Sequence, residues 1–261
     1  MRISLYQVDA FTDHVFGGNP AAICPLEEWL PDATMQAIAT ENNLSETSFF
    51  VRDGDGYFIR WFTPTHEIDL AGHPTLATAY TIFRFLAPSR DRLEFRTVKA
   101  GTLVVTRERD LLSMDFPARP PKPCPTPSGF AAALGRAPIE VMASRDYLAV
   151  FARAADVAAL TPDFNALAKL DRFLVITTAP GEDGIDFVSR CFAPASGINE
   201  DPVTGSAHCT LVPYWAGRLG KTKLRARQIS RRVGDLYCEH RGERVTIAGK
   251  CAYYMQGPIE V

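Results

Sequence analysis

Along most of this chain apolar and polar positions alternate in short runs, and helical spacing appears only in a few places. Residues Ile3 to Phe11 alternate as a half-buried strand does, successive side chains taking opposite faces. Short strands are also predicted for the apolar run ending Phe49-Phe50-Val51, and for Tyr57 to Thr63, Leu93 to Phe95, Leu103 to Thr106 and Leu111 to Phe116. Between them, Pro31-Asp32 opens a helix whose apolar face holds Met35, Ile38 and Ala39 and which ends near Asn42-Asn43. A second helix is expected from Thr75 to Leu86, behind Pro74, whose missing N–H is no loss in a first turn. The proline-rich stretch Pro117 to Pro127 lacks the donors a ladder needs and reads as a linker. Beyond it come short helices at Phe130 to Leu134, Asp156 to Leu160 and Asp163 to Leu167. Strands follow the same logic at Ile139 to Ala143, Tyr147 to Phe151, Phe173 to Thr177 and Ile185 to Phe192. A helix spans Ala207 to Arg218, and the tail from Leu224 to Val261 again alternates as antiparallel strands.

The two halves repeat one another. R-W-F-T-P-T-H-E-I-D-L-A-G-H, from Arg60, aligns with R-C-F-A-P-A-S-G-I-N-E-D-P-V-T-G-S, from Arg190. Arg60 matches Arg190, Phe62 matches Phe192, Pro64 matches Pro194 and Ile68 matches Ile198. After a short insertion Gly72-His73 falls on Gly205-Ser206. A repeat of this length implies two similar domains, each with one strand-turn-helix corner. Many strands and one long helix per half give an α+β class: two domains, each a curved, mostly antiparallel sheet wrapped around a central helix. The expected boundaries are residues 1–117 and 118–261, with the final strand crossing back to the first domain.

Bulk properties narrow the function. The 261 residues suit one large domain or two ordinary ones, and 46% hydrophobic residues are ample for a core. A net charge of -2 without a long basic run makes nucleic acid and anionic membrane poor partners. The amino-terminal residues do not read as a signal peptide, and the best apolar run, around Ala77 to Ala87, is interrupted by Arg84. Six cysteines without a C-x-x-C pair read as reduced, mostly buried thiols, so a cytoplasmic protein is expected. Gly17-Gly18-Asn19-Pro20 is not a dinucleotide fingerprint, and no phosphate loop, nucleophile elbow or metal-ligand histidine spacing occurs. No cofactor and no metal is expected.

The candidate chemistry gathers at the two corners. Each puts a glycine, Gly72 or Gly205, in the first turn of a helix, where free N–H groups and the helix dipole suit an anion. An ordinary capped helix start accounts for either corner equally well. Glu46 stands at a strand entrance beside Leu44, Phe49 and Phe50, where partial desolvation would raise a carboxyl toward the range of a useful base. A surface glutamate in a loop is the plain alternative. His73 is either a helix-start residue or a proton donor and acceptor with a value near neutrality. Asp201 either opens an Asp-Pro turn or orients His73, and Ser206 caps its helix or binds a carboxylate.

Four stretches in the same order resemble the PhzF family, the phenazine-biosynthesis-like isomerases related in fold to diaminopimelate epimerase and proline racemase. They are Gly18-Asn19-Pro20-Ala21-Ala22, Asn43-Leu44-Ser45-Glu46-Thr47, Asp69-Leu70-Ala71-Gly72-His73, and Gly197 through Ala207. The resemblance implies a cofactor-free acid/base enzyme with its site in a cleft between two similar domains. It also implies a homodimer acting on a small carboxylated molecule, amino-acid-like or dihydro-hydroxyanthranilate-like. Glu46 corresponds to the family's proton-moving glutamate, and His73, Asp201 and Ser206 to residues that position the substrate and assist the proton. Racemases of the wider superfamily use two cysteines where this chain has Ala71 and Thr204, so a two-thiol racemase is disfavoured. An epimerase with Glu46 and His73 on opposite faces, and a binding protein that keeps the fold without catalysis, remain the rival readings.

Overall fold

The computed structural model describes residues 1–261, which resolve into two compact units. The first comprises Met1–Asp115 and Ala248–Val261, the second Phe116–Ile247. In chain order the first unit runs β1 (Arg2–Ala10), β2 (Asn19–Pro25), α1 (Asp32–Asn42), β3 (Glu46–Asp53), β4 (Gly56–Phe62), β5 (Glu67–Ile68), α2 (Gly72–Thr81), β6 (Arg92–Arg96), β7 (Thr102–Glu108) and β8 (Leu111–Pro117). The second runs β9 (Lys122–Pro123), α3 (Phe130–Leu134), β10 (Glu140–Ala143), β11 (Tyr147–Val150), α4 (Ala154–Ala158), α5 (Phe164–Leu167), β12 (Val175–Pro180), β13 (Phe187–Ala193), β14 (Ile198–Asp201), α6 (Gly205–Leu219), β15 (Lys223–Gln228), β16 (Gly234–Arg241) and β17 (Arg244–Gly249). The closing strand, β18 (Cys251–Glu260), returns to the first unit.

The two units share one topology. In the first, β2 and β3 run parallel, β3 and β4 antiparallel, β4 and β5 antiparallel, β4 and β6 parallel, and β6 and β7 antiparallel. In the second, β11 and β12, β12 and β13, β13 and β14, β13 and β15, and β15 and β16 repeat those senses in the same order. α2 occupies the crossover before β6, and α6 the crossover before β15. The repeat extends to side chains. Arg60 grips Glu67 with two bonds of 2.7 Å and lies 5.2 Å from the Phe62 ring. Arg190 grips Glu200 with two bonds of 2.8 Å and lies 5.1 Å from the Phe192 ring. Paired forks of this kind fix the geometry of each corner better than a lysine would.

α2 is buried almost all round, which explains its lack of a polar stripe. Its three threonines fit because each hydroxyl donates to a carbonyl one turn back: Thr75 to Ala71, Thr78 to Pro74 and Thr81 to Ala77. The regular helix stops at Thr81 rather than reaching Leu86. Ile82 to Leu86 form a wider π turn instead, and Arg107 stacks on Phe83 while donating to its carbonyl. α1 packs Met35, Ile38 and Ala39 against Leu5, Ala22, Cys24, Phe49 and Phe62. In the second unit Phe130, Leu134, Tyr147, Phe151, Val157 and Phe192 belong to another core cluster.

The proline-rich stretch is not a free linker. Lys122-Pro123 pairs with β10, and two of the remaining N–H groups, those of Ala118 and Arg119, donate to Glu243 and Cys209 carbonyls at 2.8 Å. Few donors therefore suffice to lay the segment on the second unit.

Gly18 holds φ at 57°, and a Cβ added there would stand 2.0 Å from the Ala10 carbonyl oxygen. Only glycine lets β1 turn into β2 at this point. Gly18→Ala is expected to lower stability by at least about 2 kcal/mol, read as an earlier urea midpoint.

Candidate functional site

In the first unit the folding of β2, β3 and α2 brings three side chains together. Glu46 is the first residue of β3, where it pairs with Ala21 of the parallel strand β2. It is only 9% exposed, so the plain alternative of a surface glutamate falls. His73 is the second residue of α2, and its Nε2 lies 3.1 Å from Glu46 Oε2. On the other side of the ring, Nδ1 lies 3.2 Å from the side-chain amide nitrogen of Asn19, the first residue of β2. Ser48 Oγ donates to the Pro74 carbonyl at 3.4 Å, tying the strand of Glu46 to the helix of His73. Asn42 donates to Thr47 Oγ1 at 3.0 Å, bracing the same strand entrance from α1.

Burial changes the expected chemistry of His73. The ring is 5% exposed, and loss of hydration pushes its pKa down to about 3, with the Pro20 carbonyl opposing that shift only in part. A value near neutrality, the reason to expect imidazolium as a proton donor, does not hold here. His73 is a neutral ring whose Nε2 lies close to Glu46 Oε2 without the alignment of a hydrogen bond.

The second unit places the remaining candidates around the start of α6. Asp201 ends β14, and its Oδ2 accepts the Thr204 hydroxyl at 2.6 Å. Gln228, fully buried at the end of β15, accepts the Thr204 N–H at 2.8 Å and donates to the Asp201 carbonyl at 2.7 Å. Ser206, second in α6, accepts from Arg145 Nη2 at 3.3 Å. Arg145 itself forks onto the fully buried Asp146 and lies 5.0 Å from the Phe173 ring. Gly72 and Gly205 each open their helix, and the preceding residues, Ala71 and Thr204, supply no side-chain cap. Uncapped first turns keep N–H groups directed outward.

Both thiols near the second corner are inert. Burial pushes Cys209 up to about 11 and Cys191 well above the ordinary thiol range, so neither is a thiolate at neutral pH. His208, one turn into α6, donates from Nδ1 to the Thr204 carbonyl at 2.9 Å, and burial pushes it down to about 4. It is a core histidine.

Sequence reasoning gave no role to Asn19, Gln228 or Arg145. A signal existed for Gln228, which takes the inward place that Leu224 and Ala226 hold along β15. Asn19 lay inside a quoted motif, but its partner is 54 residues away. Arg145 shows no pattern in the sequence.

The two-unit architecture is that of the epimerase-like class. A predicted epimerase from Pseudomonas aeruginosa superposes with a TM-score of 0.78 at 20% identity, over 99% of each chain, which is a likeness of fold. The sequence profile of the PhzC-PhzF family, described as phenazine biosynthesis-like protein, matches residues 8–257, and this chain belongs to that family. A crystal structure of a PhzF-family phenazine biosynthesis protein from Enterococcus faecalis is 47% identical, with full coverage of both chains and a TM-score of 0.97. An uncharacterized isomerase from Pseudomonas aeruginosa is 54% identical over the full length of both chains. A human phenazine biosynthesis-like domain-containing protein is 35% identical, over 99% of each. No helix of the chain is long and apolar enough to cross a membrane.

Proposed function

We propose that this protein is a cofactor-independent isomerase that moves a proton on a small carboxylated substrate, with Glu46 as the general base. The observation that carries this reading is the buried carboxylate of Glu46, 3.1 Å from the neutral ring of His73. A carboxylate with little water around it is not screened from a carbon acid. One of its oxygens takes a proton from a carbon next to an activating group. The electron pair left behind is delocalised, and the same carboxyl returns the proton to a second carbon. No net proton or electron is gained or lost.

The substrate class is a small carboxylate, amino-acid-like or dihydro-hydroxyanthranilate-like. Gly72, Gly205 and Ser206 are assigned to its carboxylate and Asp201 to its positioning, in a homodimeric cytoplasmic enzyme. Arg145 adds a guanidinium beside the Ser206 hydroxyl. Arg145→Ala is expected to raise KM about tenfold with kcat within about threefold, as loss of a ground-state charge contact does.

The stereo-inverting alternative needs an acid independent of Glu46, and His73 is a neutral ring on the same side, close to Glu46. The test is carbon-bound proton exchange in D₂O, followed by NMR over a panel of cyclic and linear amino acids that includes dihydro-hydroxyanthranilate. Exchange or isomerisation of one compound is the expected result. Tight binding of a carboxylate without any exchange would overturn catalysis in favour of a binding role.

A further inference from the structure

Gln228 ends β15 fully buried, with both ends of its side-chain amide engaged. Oε1 accepts the Thr204 N–H at 2.8 Å and the Cys191 thiol at 3.9 Å. Nε2 donates to the Asp201 carbonyl at 2.7 Å and lies 3.2 Å from Thr204 Oγ1. A backbone N–H can only donate and a backbone carbonyl can only accept, so these partners leave the amide one orientation. The other Nε2 proton then goes to Thr204 Oγ1, and the threonine spends its own proton on Asp201 Oδ2 at 2.6 Å. That is the length of a hydroxyl bonded to a carboxylate, and such a bond favours the ionised form.

We propose that Gln228 is a positioning residue that fixes the direction of a hydrogen-bond chain, from its own amide through the Thr204 hydroxyl to Asp201, and so presents Asp201 to the substrate as an accepting carboxylate and not as a proton donor. This rests on the assignment of Asp201 to the substrate. The internal repeat separates the role from a demand of the fold. Arg60 matches Arg190, so Phe58 matches Val188. Their partners in the neighbouring strands are Arg96 and Arg227, and the residues that follow are Thr97 and Gln228. Thr97 bonds only within its own turn, donating to the Gly101 carbonyl at 2.9 Å and accepting the Ala100 N–H at 2.8 Å. Thr204 matches Ala71, which has no hydroxyl. α2 therefore starts at its corner without either link, and a helix forms there without the chain. Burial keeps water from competing for the partners at the second corner.

The experiment is a double-mutant cycle on exchange turnover. Thr204→Val keeps the volume and both bonds from Gln228 to the backbone, and removes only the hydroxyl that joins Gln228 to Asp201. It should lower kcat/KM about tenfold, the scale of one hydrogen bond to a charged group, while Thr204→Ser stays within about twofold of wild type. In an Asp201→Ala background Thr204→Val should cost nothing further, because the chain has lost its end. An equal loss in both backgrounds would make Thr204 a brace of α6 alone and would overturn the proposal. NMR tests the chain without turnover. The side-chain amide protons of Gln228, assigned by their absence from Gln228→Glu, should exchange slowly, and one of them should move in Thr204→Val. Should Gln228→Glu not fold, the response to Thr204→Val picks out the pair. The ¹³C signal of the Asp201 side chain, assigned from Asp201→Ala, should lie at the carboxylate position at pH 7. Freely exchanging amide protons, or a carboxyl signal for Asp201, would overturn the proposal. If wild type exchanges no acid at all, the isomerase reading fails, while the two spectra still decide the chain.

Discussion

Replacing Glu46 by Gln is expected to reduce proton exchange by about 100- to 10,000-fold, the usual range for loss of one acid/base group. The substitution is close to isosteric. A glutamine fills the same volume beside His73, so the strand entrance stays packed. Only the basic lone pair is lost. Ligand affinity, measured by titration calorimetry with the best substrate of the panel, should therefore change little while kcat collapses. Undiminished turnover in Glu46→Gln would remove the residue from the mechanism.

Lowering the pH from 7 to 5 is expected to cost about 4 kcal/mol of stability, through two histidines. Burial depresses His73 to about 3 and His208 to about 4, against about 6.5 in an unfolded chain. Between those values the unfolded chain binds protons that the folded chain refuses. The stability is complete above about pH 6.5 and is lost as pH falls toward the folded values. The slope is about 1.4 kcal/mol per pH unit for each ring, which gives about 2 kcal/mol per ring by pH 5. Urea unfolding at the two pH values measures the sum. His208→Gln, which lies in the core of α6, should remove about half of it. Equal stability at pH 7 and pH 5 would mean that the rings are not held neutral.

Much of this architecture was visible in the sequence because it is written in local patterns. Period-two alternation marks strands such as β1 and β16, and the matching of Arg60 with Arg190 announced the repeat, while the two Arg–Glu forks were not legible because Glu67 falls opposite Gly197. Glu46 stood out because a carboxyl between a helix end and a run of aromatics is unusual. What escaped was long-range. The neutrality of His73 comes from the strands packed around α2, and its hydrogen bond to Asn19 spans 54 residues, so neither leaves a mark near His73 in the sequence. The π turn after Thr81, to which Arg107 donates from 24 residues along the chain, left no local mark either. The proline-rich stretch misled for a different reason. Missing donors argue against a long ladder, but not against the two-residue pairing of Lys122-Pro123 with β10 and a few single bonds.

The closing strand pairs with β1 from Arg2↔Glu260 to Ala10↔Cys251, and the opposite edge of β1 pairs with β2. On a ribosome the segments that carry Asn19, Glu46 and His73 emerge well before β18, so β1 keeps one edge bare until Cys251–Glu260 has been made. At ordinary synthesis rates the intervening second unit holds that edge open for roughly ten seconds. Removing β18 would therefore bare an edge of the unit whose other strands are synthesised first.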